Sequence, residues 1–429
     1  SAPLAYTLWS KHLKHNPKNP NWRNRDRFIL SAGHGSALLY SLLHIFGYDL
    51  SLEDLKQFRQ LDSKTPGHPE YRHTVGVEVT TGPLGQGIAN AVGMAMAENH
   101  LASKFNKDGY NIVDHYTYAL CGDGCLMEGV SYEAISLAGT LGLSKLIILY
   151  DSNNITIEGN TDIAFKEDVC KRFEACGFDT QVVNDGNDID AISKAIENAK
   201  KSDKPSLIEI KTVIGYGAPN KAGKASAHGE PLGKDEIKAM RETFGLKDED
   251  FYVDEEVKAT MENTKSILEG YEKDWNNLLE NYKKEYKELY EEYEKWYKDD
   301  FLSEIENDED FWNHTEETAT RLSSELVLNK LAKVMPNMFG GSADLSPSNK
   351  SVMKDRGEYS KETPEGDNIH FGIREHAMTA IANGMYLHGG VRPYIAGFFV
   401  FSDYMKPSLR LSALMKLGVV SIFTHDSIG

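Results

Sequence analysis

Two short segments of the sequence place hard oxygen ligands directly after apolar runs. The segment Gly-Asp123-Gly follows the apolar run 116–121, and Asn153-Asn-Ile follows the run 146–150. A carboxylate and an amide oxygen suit Mg²⁺ or Ca²⁺ better than zinc. The glycines around Asp123 would let the backbone approach phosphate groups closely. Each segment, taken alone, is also compatible with an ordinary polar turn.

The elements around these segments predict that the two ends lie together. The runs 116–121 and 146–150 are short, apolar and bounded by polar or glycine-rich breaks, which is typical of buried parallel strands. Residues 128–141 between them are predicted to be helical. Ligands of open α/β sheets bind at the carboxyl ends of the strands, so we expect a metal and phosphate corner there.

A histidine occupies a similar position after another predicted strand. The strand 27–30 leads into Ser-Ala-Gly-His34-Gly-Ser, and an apolar helix is predicted over 37–46. A helix N-terminus is a natural anion site, so His34 is a candidate ligand-binding residue. The alternative is that His34 only caps the turn.

Two further loops carry candidate residues. Prolines close to His68, in Thr-Pro-Gly-His-Pro, exclude a helix or a central strand and predict a rigid loop that presents the imidazole. The glycine-rich loop 80–87 precedes a small-residue helix over 88–97, which can pack closely against its neighbours. The glycines of this loop could contact phosphate or only permit a tight turn.

The region up to about residue 240 alternates strands and helices. Further strands are predicted over 179–183 and 205–213, and a helix is predicted over 189–200. The long polar, glycine-rich loop 215–233 contains His228, and loops of this length are usually functional or disordered. The alternation predicts a doubly wound α/β domain.

The chain changes character between 255 and 315. Tyr, Trp and Leu recur there at three- and four-residue steps with Lys and Glu between them, which predicts one long amphipathic helix with an aromatic stripe that packs on the domains it joins. An aromatic ligand face is the alternative. A second α/β region begins at Arg321, with Ser348 in a loop and Glu375 near the start of a helix.

The composition excludes some classes of partner. The chain has 429 residues, 40% hydrophobic and 26% charged, so it is globular and large enough for two or three domains. A net charge of -18 argues against a nucleic-acid partner, which requires clustered Lys and Arg. The sequence shows neither a membrane-spanning run nor a signal-peptide pattern, so we expect a soluble, cytoplasmic protein without a membrane partner. The four cysteines are expected to be reduced thiols rather than a zinc site; they are Cys121, Cys125, Cys170 and Cys176.

Taken together, the motifs resemble the transketolase family of thiamine diphosphate enzymes. The resemblance covers nearly the whole chain, and its strength lies in the order of many individually weak motifs. They include Ser-Ala-Gly-His-Gly-Ser, Thr-Pro-Gly-His-Pro, Thr-Thr-Gly-Pro-Leu-Gly-Gln-Gly, Gly-Asp-Gly, Asn-Asn-Ile-Thr, Ile-Gly-Tyr-Gly, Ala-His-Gly, Gly-Gly-Ser-Ala-Asp-Leu-Ser-Pro-Ser-Asn, Gly-Ile-Arg-Glu-His-Ala and Thr-His-Asp-Ser-Ile-Gly.

The resemblance implies a role for each matching residue. The Mg²⁺ ligands would be Asp123, Asn153 and the carbonyl of Ile155, with Ca²⁺ or Mn²⁺ as possible substitutes. The residues around thiamine diphosphate would be His34, Gly82, Pro83, Leu84, Gly124, Asn153 and His228, with the aromatic pocket Phe398, Phe401 and Tyr404 for its aminopyrimidine ring. The catalytic residues would be Glu375, which hydrogen-bonds that ring, and the donor-side histidines His68 and His228. The sugar phosphate would be bound by His68, His228, Arg321, Ser348 and His425.

The resemblance also implies an activity and an assembly. A two-carbon ketol unit would pass from a ketose phosphate to an aldose phosphate through a carbanion on thiamine diphosphate, in the pentose phosphate pathway. The enzyme would be a homodimer with its active site at the subunit interface. Dihydroxyacetone synthase, deoxyxylulose-phosphate synthase and a catalytically silent paralogue are the alternatives.

The implied fold is α/β. Two doubly wound domains with mostly parallel sheets would be joined by a long helical linker: a diphosphate-binding domain over 1–254, the linker over 255–315 and a pyrimidine-binding domain over 316–429. The sequence starts at Ser1 without Met, lacks the family's Ser-Gly-His-Pro-Gly segment, and ends in a loop that should lead into a further element. We therefore expect a fragment truncated at both ends.

Overall fold

The computed structural model describes residues 1–315 and 317–426, and the chain divides into two compact units. The first unit comprises Ser1–Ile88, Tyr116–Ser131 and Ser144–Asp274. The second comprises Ala89–His115, Tyr132–Leu143 and the described part of 275–429.

The first unit is built on a five-stranded sheet in which every pairing is parallel, in the order β1-β2-β3-β7-β6. A two-stranded antiparallel hairpin, β4-β5, follows the central strand. The strands are β1 (Arg27–Leu30), β2 (Thr117–Gly122), β3 (Leu146–Ser152), β4 (Ile155–Thr156), β5 (Gly159–Asn160), β6 (Asp179–Val183) and β7 (Ser206–Lys211). All seven residues of β3 are buried, as expected for a strand covered on both faces.

The second unit carries its own five-stranded parallel sheet, in the order β12-β11-β8-β10-β9. Its strands are β8 (Met338–Ser342), β9 (Glu358–Tyr359), β10 (Asn368–His370), β11 (Arg392–Phe398) and β12 (Val420–Thr424). Two all-parallel sheets with helices between most of their successive strands confirm the predicted fold class.

Helices fill the segments between the strands. Several begin at a side-chain cap: Asp168 accepts from the amide of Lys171, and Asp188 accepts from the amide of Ala191. In chain order the helices are α1 (Ala2–Thr7), α2 (Ser36–Phe46), α3 (Leu52–Lys56), α4 (Gln86–Phe105), α5 (Asp123–Met127), α6 (Gly129–Leu141), α7 (Val169–Ala175), α8 (Ile189–Ala199), α9 (Lys234–Thr243), α10 (Glu255–Glu285), α11 (Lys287–Lys298), α12 (Glu309–Trp312), α13 (Thr320–Val334), α14 (Ser346–Asn349), α15 (Glu375–His388) and α16 (Ser402–Leu414).

In the second unit, α4 and α15 cross with their backbones in contact. A Cβ added at Gly93 would overlap the carbonyl of Ile381, and one added at Gly384 would overlap the carbonyl of Asn90. The Asn90 amide donates to the carbonyl of Ala380 at 2.7 Å. The close packing predicted for the small-residue helix is therefore present.

The prediction of one continuous helix over 255–315 was wrong. The helix is interrupted at Tyr286, where φ is -123° and ψ is 57°, and α11 ends at Lys298. The side-chain pattern could not reveal the break because the aromatic spacing continues across it. The aromatic residues do pack inward, since Trp275, Tyr282, Tyr293 and Trp296 are buried.

Two other features bear on the sequence predictions. The four cysteines are free; Cys121 and Cys125 are buried, and the other two are half-buried. Within residues 1–315 and 317–426, no helix is both long and apolar enough to cross a membrane.

The core of the first sheet should be sensitive to truncation at β3. Ile148 is fully buried, so Ile148→Ala should lower the free energy of unfolding by about 3 kcal/mol through lost burial and a cavity. Urea denaturation would measure the shift. Ile189→Ala is the matched control because Ile189 is exposed at the start of α8, and its effect should stay within about 0.5 kcal/mol. Equal shifts for both variants would contradict the assignment of β3 to the core.

Candidate active site

A cavity of about 920 Å³ lies in the first unit, lined by the carboxyl ends of β1, β2 and β3. This is the edge at which the sequence predicts a metal and phosphate corner, because parallel strands of one sheet end on the same side. The predicted site residues that line the cavity are His34, Leu84, Asp123, Gly124, Asn153, Ile155 and His228.

Asp123 begins α5 directly after β2, and it is buried at 3% exposure. Its Oδ1 accepts a hydrogen bond from the Tyr150 hydroxyl at 2.6 Å. Its Oδ2 has no hydrogen-bond partner among the described residues. Burial raises the pKa of the Asp123 carboxyl, and the hydrogen bond from Tyr150 opposes that rise. A buried oxygen without a partner on a cavity wall fits a cation ligand.

Asn153 and Ile155 come from the turn between β3 and the hairpin. Asn153 Oδ1 accepts from the amide of Ile155 at 3.0 Å, and Asn154 between them takes a left-handed backbone conformation with φ of 58°. This turn directs both residues to the cavity that Asp123 lines. One carboxylate, one amide and one carbonyl form an all-oxygen donor set that fits Mg²⁺, which completes its octahedron with phosphate oxygens and waters.

The glycine loop before α4 closes on the same region. Gly85 has φ of +82°, and a Cβ there would meet Glu128 and Ser131 below 3.0 Å. A Cβ at Gly124 would lie 2.8 Å from the Leu84 methyl carbon. Gly82 and Pro83 belong to this loop, and together these contacts hold the backbone close to Gly-Asp-Gly without intervening side chains.

Of the three predicted histidines of the first unit, His34 and His228 line the cavity and His68 does not. His34 and His228 stack with ring centroids 5.0 Å apart. His68 lies on its loop, with its ring 3.4 Å from the position of a Cβ on Gly82. The pKa of His34 is lowered by its partial burial and by the neighbouring His228 and His68, so the ring is neutral at pH 7.

Glu375 lies in the second unit as the first residue of α15. Two residues further on, the amide of Ala377 donates to Glu133 Oε2 at 2.9 Å. Burial raises the pKa of Glu133, and the negative charge of Glu375 raises it further. Sequence reasoning missed Glu133, because nothing in the amphipathic pattern of α6 distinguishes it from a surface glutamate.

The predicted aromatic residues form a row in the second unit. Phe398 and Phe401 have centroids 5.9 Å apart with nearly parallel rings, and Phe401 and Tyr404 follow at 6.1 Å. Tyr404 is 63% exposed and the neighbouring Phe399 is 61% exposed. The row therefore presents a large apolar surface to solvent in this chain.

The three residues predicted to bind phosphate are brought together at one end of this row. Arg321 Nη1 lies 2.9 Å from His425 Nε2 and 3.4 Å from the carbonyl oxygen of Ser348. His425 packs against Phe398 with centroids 5.1 Å apart. The last residues of the Thr-His-Asp-Ser-Ile-Gly motif, 427–429, lie outside the described residues.

Sequence reasoning also missed Asp151, which lines the cavity of the first unit. Asp151 accepts hydrogen bonds from the hydroxyls of Ser1 and Thr212. Its position directly before Ser152 and Asn153, at the end of β3, was a usable signal. It holds Ser1, directly before α1, and Thr212, at the start of the loop after β7, at the cavity wall.

Comparison with known proteins matches both parts of the chain to domains of one protein family. Residues 1–301 match the family description "Transketolase, thiamine diphosphate binding domain", and residues 316–429 match "Transketolase, pyrimidine binding domain".

Three relatives illustrate the similarity. A curated transketolase of Halalkalibacterium halodurans is 55% identical over 429 residues, which is 100% of this chain and 64% of that protein. The solved transketolase of Leishmania mexicana has a TM-score of 0.95 and 43% identity, covering 99% of this chain and 64% of that one. A transketolase of Pichia stipitis in complex with sedoheptulose 7-phosphate has a TM-score of 0.94 and 43% identity, covering 100% of this chain and 64% of that one. The chain thus spans 64% of the length of each relative.

The stacking of His34 on His228 predicts that the pKa of His34 depends on His228. NMR can measure this dependence. In protein with ¹³C-labelled histidine, the His34 ring should titrate below its ordinary pKa of about 6.5. His228→Gln removes a neighbouring positive charge at low pH and should raise the pKa of His34. His73→Gln is the matched control, since His73 bonds the carbonyl of Ser63 elsewhere in the unit, and it should leave the titration of His34 unchanged. A His34 pKa unaffected by His228→Gln would contradict the electrostatic coupling.

Proposed function

The chain belongs to the transketolase family, and from this premise we propose that the protein catalyses reversible transfer of a two-carbon ketol unit. The donor is a ketose phosphate such as xylulose 5-phosphate, and the acceptor is an aldose phosphate such as ribose 5-phosphate. The observation that carries the proposal is the cavity in which Asp123, Asn153 and Ile155 meet the glycine loop before α4. The Pichia stipitis relative binds a sugar phosphate, sedoheptulose 7-phosphate, which is the substrate class proposed here.

In this proposal Asp123, Asn153 and the carbonyl of Ile155 hold Mg²⁺, or Ca²⁺ or Mn²⁺ in its place. The groups around thiamine diphosphate are Gly82, Pro83, Leu84, Gly124, His34 and His228. The bound cofactor supplies an electron sink for cleavage of a carbon–carbon bond. The glycine loop suits a diphosphate because its backbone can approach closely, and the neutral His34 can donate a hydrogen bond without a full charge.

Glu375 is proposed to hold a proton at a ring nitrogen of the cofactor, which is the role of a general acid–base. Its position at the first turn of α15 favours a carboxylate. Burial and the negative charge of Glu375 raise the pKa of Glu133, so the two carboxyls are electrostatically coupled. Phe398, Phe401 and Tyr404 would pack on the aminopyrimidine ring and exclude water from it.

Arg321, Ser348 and His425 are proposed to bind the phosphate of the sugar. An Arg fork with a neighbouring imidazole and hydroxyl matches a phosphate dianion, and the 2.9 Å contact, in which Arg321 donates to His425 Nε2, places these two side chains side by side. His68 and His228 are assigned to the transferred two-carbon unit, where an imidazole can donate to a hydroxyl or exchange a proton with it.

We further propose a cytoplasmic homodimer that acts in the pentose phosphate pathway, with each active site at the subunit interface. Ile373, Phe399, Val400 and Tyr404 are all more than half exposed in this chain, and exposed apolar clusters mark interaction sites. The domain assignment proposed with it is a diphosphate-binding domain over 1–254, a helical linker over 255–315 and a pyrimidine-binding domain over 316–429.

Metal-dependent cofactor binding tests the proposed cavity. Asp123→Ala removes the only carboxylate among the three proposed ligands, so thiamine diphosphate binding in the presence of Mg²⁺ should weaken at least about 100-fold. Isothermal titration calorimetry of the protein would measure it. Asp162→Ala is the matched control because Asp162 is exposed after the hairpin, and its affinity should equal that of the wild type. Unchanged affinity in Asp123→Ala would refute the metal site.

Activity with alternative acceptors tests the reaction itself. Transfer from xylulose 5-phosphate should proceed to ribose 5-phosphate and not to formaldehyde, and pyruvate should not serve as donor. Glu375→Ala should slow deuterium exchange at the thiazolium carbon about 100-fold or more, with exposed Glu362→Ala as the control. Preference for formaldehyde would indicate dihydroxyacetone synthase, use of pyruvate would indicate deoxyxylulose-phosphate synthase, and no transfer with any substrate would indicate a silent paralogue.

A further inference from the structure

A second cavity, of about 490 Å³, lies in the first unit and shares the Asp123 wall with the cavity described above. We call it the rear cavity; Tyr150, Asn154, Asp162, Glu167 and Glu209 are among its lining residues. Asp162 and Glu167 are exposed, so solvent reaches its outer part. Asp123 therefore separates the proposed cofactor cavity from a second, solvent-connected space.

Tyr150 contacts Asp123 from this rear side. The residue is on β3 opposite Cys121 of β2, and its ring is 2% exposed. The hydroxyl donates to Asp123 Oδ1 at 2.6 Å, the short distance typical of a hydroxyl that donates to a carboxylate. The contact joins two groups that are both almost entirely removed from water.

We propose that Tyr150 is a positioning residue for the metal ligand Asp123, fixing which carboxylate oxygen faces the cation. The inference rests on the proposed function, because it assumes that Asp123 binds the metal of a thiamine diphosphate site. Tyr150 acts through Asp123 and is not assigned a contact with cofactor or substrate.

The geometry explains how the positioning works. With Oδ1 engaged by the Tyr150 hydroxyl, Oδ2 is the oxygen without a partner among the described residues, so Oδ2 would face the cation in a fixed orientation. A tyrosine hydroxyl carries its own proton at neutral pH, so it serves as the donor in this contact. Without it, Oδ1 would face a cavity that water can enter, and the carboxylate could rotate.

Such a rotation of the carboxylate should lower the affinities for Mg²⁺ and Ca²⁺ by different amounts. Mg²⁺ demands near-ideal octahedral geometry, whereas Ca²⁺ accepts six to eight ligands and bidentate carboxylates in flexible arrangements. A freely rotating Asp123 would therefore cost Mg²⁺ more affinity than Ca²⁺. A side chain that only filled space would change both affinities together.

The test uses Tyr150→Phe, which removes the hydroxyl and keeps the ring. Mg²⁺ and Ca²⁺ are titrated separately at saturating thiamine diphosphate, with calorimetry for affinity and a melting curve for folding. We expect the Mg²⁺ affinity to fall about 10–100-fold, with a smaller loss for Ca²⁺, so that the ratio of the two affinities drops. The melting temperature of the metal-free protein gives an independent readout of stability.

Tyr118→Phe is the matched control. Tyr118 is a fully buried tyrosine on the adjacent strand β2, and its hydroxyl has no hydrogen-bond partner among the described residues. Its removal should leave the affinities for both cations as in the wild type.

The outcomes separate this inference from the proposed function. If wild-type protein binds thiamine diphosphate without any dependence on a divalent cation, both proposals fall. If the wild type is cation-dependent but Tyr150→Phe matches Tyr118→Phe, only the positioning role is overturned. An equal loss of both cations together with a lowered melting temperature would show a structural role and would also overturn it.

Discussion

The buried carboxylate of Asp123 is the constraint on which the first unit depends. Removing a charge from water is costly unless hydrogen bonds or an opposite charge compensate for it. Tyr150 compensates one oxygen, and the other has no partner among the described residues. A bound cation at this oxygen would compensate the charge further, whereas burial alone raises the pKa of the carboxyl. The turn after β3 brings Asn153 and Ile155 to the cavity that Asp123 lines.

The proposed site in the second unit is built differently, because it combines charged side chains with exposed aromatic rings. Glu133 and Glu375 are neighbouring acids, and their repulsion is one cause of the raised pKa of Glu133. The aromatic row from Phe398 to Tyr404 is apolar and partly exposed, while Arg321 and His425 add polar groups at its end. A surface with this mixture suits the two groups proposed to bind there, the aminopyrimidine ring of the cofactor and the phosphate of the sugar.

Local patterns predicted much of the fold. The predicted strands 27–30 and 179–183 match β1 and β6 residue for residue, although β1 is buried throughout and β6 is mostly half-buried. The sequence also predicted that Asp123 and Asn153 lie at one edge of the sheet, because neighbouring parallel strands end on the same side. The contact of Tyr150 with Asp123, the pairing of Glu133 with α15 and the break at Tyr286 could not be predicted. The two contacts join residues far apart in sequence, and the break leaves the aromatic spacing intact.

The crossing of α4 and α15 determines the stage of folding at which conformational entropy is lost. Gly93 and Gly384 bring backbone against backbone, so no long side chain has to be frozen in one rotamer at that contact. Glycine loses more main-chain freedom on folding than any other residue, and this loss occurs when each helix forms. Two helices that are already formed can therefore dock with little additional ordering, and the two glycines have no rotamers through which the contact could relax.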